Sequence, residues 1–191
     1  MKINVALNQK SIKDAINKLR SVRKVIPEMQ YEFLQYICEW IIEKANERLY
    51  ASDIGENVKW TIANSWEYDI DKSIFGAKIT NRAQQAAFVE FGVGTVGRWK
   101  NHPNASETNY QYNVGSQIRD DGSWIFGVSD DADIDISAKY VSSRTENTVM
   151  TYGSPAVMYA YNAIVDARTD LKNPNGEIQA EWKRLKSRYI G

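Results

Sequence analysis

Gly92-Val93-Gly94-Thr95-Val96-Gly97 spells the G-x-G-x-x-G of a dinucleotide fingerprint. The fingerprint works only where a buried strand leads into the glycines and a helix leads out, so that the helix N-terminus meets the pyrophosphate. Here the preceding stretch, Ala83 to Phe91, is alanine-rich and reads as a short helix. The residues that follow, Arg98-Trp99-Lys100-Asn101-His102-Pro103, do not read as an extending helix. With no parallel strand–helix–strand pattern around them, these glycines are expected to form a flexible turn, and no cofactor is expected.

A second chemical pattern, Asp130-Asp131-Ala132-Asp133-Ile134-Asp135-Ile136, opens like a calcium-binding loop. Such a loop needs a glycine at its sixth position and a bidentate glutamate at its twelfth. Counted from Asp131 those places hold Ile136 and Ser142, so an acidic loop running into a strand is expected, with an adventitious or interface cation as the other reading. A hydrolase would have to use His102, the only histidine, as its base, yet it stands beside Pro103 in a polar stretch and no G-x-S-x-G accompanies it. One histidine and one cysteine, Cys38, cannot complete a four-ligand nitrogen and sulfur zinc site within one chain, and a lone cysteine forms no internal disulfide. These residues give no ground for expecting catalysis.

The composition sets wider bounds. Apolar residues at 43% and charged residues at 25% of 191 positions are ordinary for a globular chain. The 24 lysines and arginines balance 24 aspartates and glutamates. A protein living by phosphate neutralisation would be basic, so DNA is not expected as a sequence-read partner. The charge is unevenly spread: residues 1–50 carry nine bases against six acids, residues 51–175 eleven against sixteen, and residues 176–191 four against two. Two mildly basic ends around an acidic middle suit complementary faces on neighbouring copies, and suit equally a scattered, solvated surface. No apolar run reaches the length of a membrane span, and Met1 to Leu7 lacks the form of a signal peptide. The expectation is a soluble protein made in the cytoplasm, with no membrane partner.

The elements that must hold any site follow from periodicity. Ile3, Val5 and Leu7 alternate as a strand. Ser11 opens a helix with Ile12, Ala15, Ile16, Leu19 and Val22 on one stripe, and Pro27 is expected to end it and start another. From Glu28 to Tyr50 runs the strongest helical pattern, with Met29, Phe33, Ile37, Trp40 and Ile41 among its apolar positions and Cys38 a buried, inert thiol at its edge. Trp60 and Ile62, then Trp66, Tyr68 and Ile70, alternate as strand, and Ile74 to Ile79 returns as the second arm of a hairpin. Residues 98–150 form a polar insertion with short strands around 123–128 and 138–151. Pro155 is expected to start a helix carrying Val157, Met158, Tyr161 and Ile164. Asn173-Pro174-Asn175-Gly176 breaks it, and a last helix has Ile178, Trp182, Leu185 and Tyr189 on one face. Trp40, Trp60, Trp66 and Trp182 are expected in the core, whereas Trp99, Tyr110 and Tyr112 in the polar insertion are candidates for touching a protein partner or a sugar. The sum is one α+β domain over 1–191: a small, mostly antiparallel sheet packed by one long N-terminal helix and C-terminal helices.

The stretch Ala86-Ala87-Phe88-Val89-Glu90-Phe91-Gly92-Val93-Gly94 resembles the A-x-(F/Y)-V-E-F-G-T-G signature of the tail-component, or neck, family of long-tailed bacteriophages, with Val93 where threonine is usual. The order of elements is similar too, ending in a small-Pro-apolar helix start, Gly153-Ser154-Pro155-Ala156-Val157-Met158. The resemblance implies a structural virion protein that joins head to tail or completes the tail. It would act as a homo-oligomeric ring against adjoining connector and tail proteins, with DNA only as passing cargo. Under that reading Asp130, Asp131, Asp133 and Asp135 face an interface or the channel. Physically, Phe88 and Phe91 can pin the short helix to the sheet, Gly92 and Gly94 let the chain reverse, and Glu90 is expected to face solvent, with an intersubunit ion pair as the alternative. The rival functions are a host-surface or carbohydrate-binding module using Trp99, Tyr110 and Tyr112, and a small enzyme using His102.

Overall fold

A computed structural model describes residues 9–99, 102–108, 110, 123–127, 141–145 and 148–190. The expected strand at 3–7, Tyr112 and the four aspartates Asp130, Asp131, Asp133 and Asp135 lie outside the described residues. The fold is α+β, as the sequence implied.

Helix α1 runs unbroken from Gln9 to Tyr50 with Pro27 inside it, so the expected break does not occur. Proline removes one backbone donor and crowds the carbonyl four residues back. Pro27 is exposed, where that carbonyl can be hydrated, and the apolar stripe from Met29 onward holds the helix in register. Helix α2, Glu56–Ala63, replaces the strand expected around Trp60. The true period is helical: Lys59 and Ile62 point inward while Trp60 is 65% exposed, not core. A lysine at an inward position disguised the pattern. Its ammonium bonds to the Glu56 carboxylate at 2.8 Å and to the Tyr50 carbonyl at 3.2 Å, where α1 leaves unpaired acceptors.

Strands β1, Trp66–Asp71, and β2, Gly76–Asn81, form the expected antiparallel hairpin. Helix α3 covers Ala86–Phe91, and helix α4, Gly94–Trp99, follows at once, so the glycine-rich stretch is a helix start rather than a flexible turn. The insertion contributes β3, Trp124–Gly127, β4, Val141–Thr145, and β5, Thr148–Thr151, in a second antiparallel sheet of order β3-β5-β4 with an irregularity between Val141 and Ser143. A two-residue strand β6, Gly153–Ser154, bridges to Val93. Helices α5, Tyr159–Lys172, and α6, Glu177–Ile190, complete the order.

The chain forms two compact units. The first comprises 1–41, 68–80 and 164–191, and its core gathers Trp40, Ala167 and Ile178 with Phe33, Ile37 and Leu171 against them. The Trp40 indole N–H donates to Glu177 at 2.6 Å, and Phe33 lies 4.9 Å from the Trp182 ring. Cys38 is buried as expected, and burial, seconded by the charge of Glu39, pushes its thiol above the ordinary value. Asp170 on α5 accepts the N–H of Ile178 at 2.8 Å and of Glu177 at 3.3 Å, capping α6. The second unit comprises 42–67 and 81–163 and holds the signature. In it Trp66 is half-buried, with its indole N–H on Asn46 at 2.9 Å and its ring 5.9 Å from Tyr159.

Candidate functional site

The signature sits at the C-terminal end of α3, where a helix exposes carbonyls without intrahelical partners. The carbonyls of Val89 and Glu90 accept the N–H groups of Val157 at 2.9 Å and Met158 at 3.2 Å. Those two residues are thereby drawn out of α5, which starts at Tyr159 and not at Pro155 as expected. Met158 takes the left-handed conformation, φ 56°, and its carbonyl accepts the Asn162 N–H to begin the helix. Methionine offers no side-chain oxygen for the remaining first-turn donors. Glu90 supplies it. One carboxylate oxygen accepts from Ala160 at 2.9 Å, the other from Tyr161 at 2.9 Å, and the negative charge lies at the positive end of a helix dipole.

Glu90 is therefore not the solvent-facing charge expected of it: it is 7% exposed, and its partner is His102 of the same chain. His102, 3% exposed, places Nε2 3.0 Å from the Glu90 carboxylate while its Nδ1 accepts the Asn104 N–H at 3.0 Å. An N–H aimed at Nδ1 requires a lone pair there, so the hydrogen rides on Nε2 and is donated to Glu90. Both ring nitrogens are engaged. Neither is left to take a proton from a nucleophile, as a general base must.

Phe91 completes the arrangement. Its ring stacks on Tyr110 at 4.6 Å and lies 4.4 Å from the His102 ring, which meets Tyr161 edge-on at 5.0 Å. The Tyr110 hydroxyl donates to the Gly92 carbonyl at 2.8 Å. Tyr110, expected as a contact residue, is half-buried, with its ring and hydroxyl engaged within its own unit. Gly92 has φ 77°, and a Cβ there would lie 2.6 Å from the Ala156 nitrogen and 2.7 Å from the Ser154 carbonyl. Only glycine fits both the backbone angle and the space. Tyr159 is buried behind the cluster; burial, then the charge of Glu90, pushes its phenol well above the ordinary value. Phe88, expected to pin the helix, is exposed instead. Gly94 opens α4 and Trp99 closes it.

Glu90, Phe91 and Gly92 thus bring together α3, the 102–110 segment and the entry to α5. Periodicity missed His102, Tyr110, Met158 and Tyr161 as members. A lone carboxylate inside the apolar run Phe88-Val89-Glu90-Phe91, with the chain's one histidine just downstream, was the available signal. The dinucleotide reading finds no support in the local geometry: a helix, not a strand, leads into the glycines, and α4 is only six residues long. Among the described residues no group of three histidines, cysteines, aspartates or glutamates is placed to hold a metal ion, and no helix is long and apolar enough to cross a membrane. Comparison with protein-family models, with curated proteins and with solved structures finds no match to this chain.

Proposed function

We propose that this chain is a structural component of a tailed phage particle or prophage, acting at the head–tail junction or the tail end by assembling with copies of itself and with adjoining connector and tail proteins. The observation that carries the reading is the signature Ala86–Gly94: its Glu90, Phe91 and Gly92 each have a scaffolding duty in holding α3 to the entry of α5. A motif spent on building a rigid unit suits a protein whose work is to present surfaces, and assembly is work of that kind. The full engagement of His102 weighs against the enzyme reading, and the internal use of Tyr110 weakens the carbohydrate reading.

Deletion of the gene from the producing phage, followed by electron microscopy of lysates, tests the reading. Filled heads and finished tails lying separately are expected. Intact particles of normal infectivity would overturn it, and glycan binding by the purified protein would move the chain to the host-surface class.

A further inference from the structure

The first turns of α1 carry an apolar stripe that the protein leaves uncovered. Ile12, Ile16 and Leu19 fall at helical spacing on one side and all three are exposed, Leu19 to 57%. Between Lys10 and Lys24 the same segment holds six basic residues against one acid, Asp14. It is a basic helix with a bare apolar edge. Single exposed apolar residues are ordinary, whereas a contiguous stripe marks a contact surface.

The matching chemistry lies on the hairpin. Strand β1 alternates half-buried and exposed positions, and the exposed ones are Glu67, Asp69 and Asp71. At the hairpin tip Ile74 is 75% exposed and Phe75 is exposed at φ 51°. Lys72, the basic residue of the turn, is already engaged, 4.0 Å above the Tyr31 ring and 4.0 Å from Glu28. Arg82, just past β2, already pairs with Glu67 at 2.6 Å, so Asp69 and Asp71 are the acids open to a partner, with Lys78 the exposed base on β2. The hairpin therefore shows acid beside exposed apolar side chains, and the arm shows base beside exposed apolar side chains.

We infer that residues 9–24 of one copy dock on the hairpin 67–75 of the next copy, a head-to-tail contact joining protomers in series; this rests on the assembly reading above and names its surface. Pairing arm with arm would set six bases against six, which like charge opposes. Pairing arm with hairpin satisfies charge and apolar surface together. Because the two patches differ, the contact is heterologous: each protomer uses one of each, and repetition closes a ring where the rotation permits.

The full-length protein tests this by sedimentation velocity over a range of concentrations. The wild type is expected to form oligomers. Ile16→Glu with Leu19→Glu on the arm, or Ile74→Glu with Asp69→Lys on the hairpin, should each weaken self-association at least ten-fold while circular dichroism stays unchanged. Mixing the arm variant with the hairpin variant should give a discrete two-chain complex, because each supplies the surface the other lacks. Should a variant fold poorly, Lys13→Glu with Lys18→Glu on the arm repeats the test on exposed polar positions. Unchanged oligomers in the variants, or a mixture that stays monomeric, overturns the contact. So does a wild type that is monomeric throughout but binds phosphatidylglycerol vesicles through the arm. Failure here is distinguishable from failure of the joining role: a phage carrying the arm variant that still joins heads to tails overturns this contact alone. A deletion phage with intact particles overturns the role and leaves the contact standing.

Discussion

Two carboxylates in this protein cap helices, and they do so from opposite distances. Asp170 caps α6 from the end of the preceding helix, seven and eight residues before the N–H groups of Glu177 and Ile178 that it accepts. Glu90 caps α5 from a different part of the chain, with 70 and 71 residues between it and the N–H groups of Ala160 and Tyr161. The local cap sits in a partly exposed turn, where water can replace it. The distant cap is buried and hydrogen-bonded to a buried imidazole, so nothing can replace it. The same chemistry thus finishes a turn in one unit and fixes the architecture of the other.

Replacing the two carboxylates separates the roles most sharply. Glu90→Ala leaves two helix N–H groups and the His102 Nε2–H buried without their acceptor. Loss of one member of a buried charged cluster costs about 3–5 kcal/mol, read as a fall in the urea midpoint of the full chain. Gly92→Ala should follow at about 2 kcal/mol, because the left-handed angle and the approach of Ser154 and Ala156 both resist a side chain. Asp170→Ala should cost only about 1 kcal/mol, the usual worth of a single cap at a solvent-accessible helix start. Equal losses for Glu90→Ala and Asp170→Ala would erase the distinction.

The smallest effect concerns pH. Burial keeps the Cys38 thiol protonated beyond its ordinary value of 9.0, while the unfolded chain gives up that proton first. The folded state therefore keeps its full stability below about pH 9 and loses some as the pH rises further. The raised Tyr159 phenol acts in the same direction from higher pH. Unfolding midpoints followed into alkali should decline, and Cys38→Ala should delay the onset of that decline.

Much of the fold was legible because it is written in local periods. The stripe from Met29 to Leu49, the hairpin alternation around Tyr68 and the single face of Ile178, Trp182, Leu185 and Tyr189 each lead directly to an observed element. The errors arise where one residue does something its type conceals. Lys59 occupies an inward helical position, so α2 passed for a strand. Pro27 lies on an exposed helical face that tolerates it. Val157 and Met158 fit a helix by pattern but give their N–H groups to α3. The Glu90 site was illegible for a related reason: hydrogen bonds spanning 12 to 71 residues leave no period, and a glutamate meant for burial looks like one meant for water. Gly92 was marked as a turn residue, but its need for space against Ala156 appears only in three dimensions.

For the proposed phage role, quantitative mass spectrometry of particles from a phage that encodes this chain tests the central claim most directly. A chain that works by assembly within the virion should be present at several copies per particle, in constant proportion to the connector and tail proteins. Mature particles that contain none of it would contradict the account.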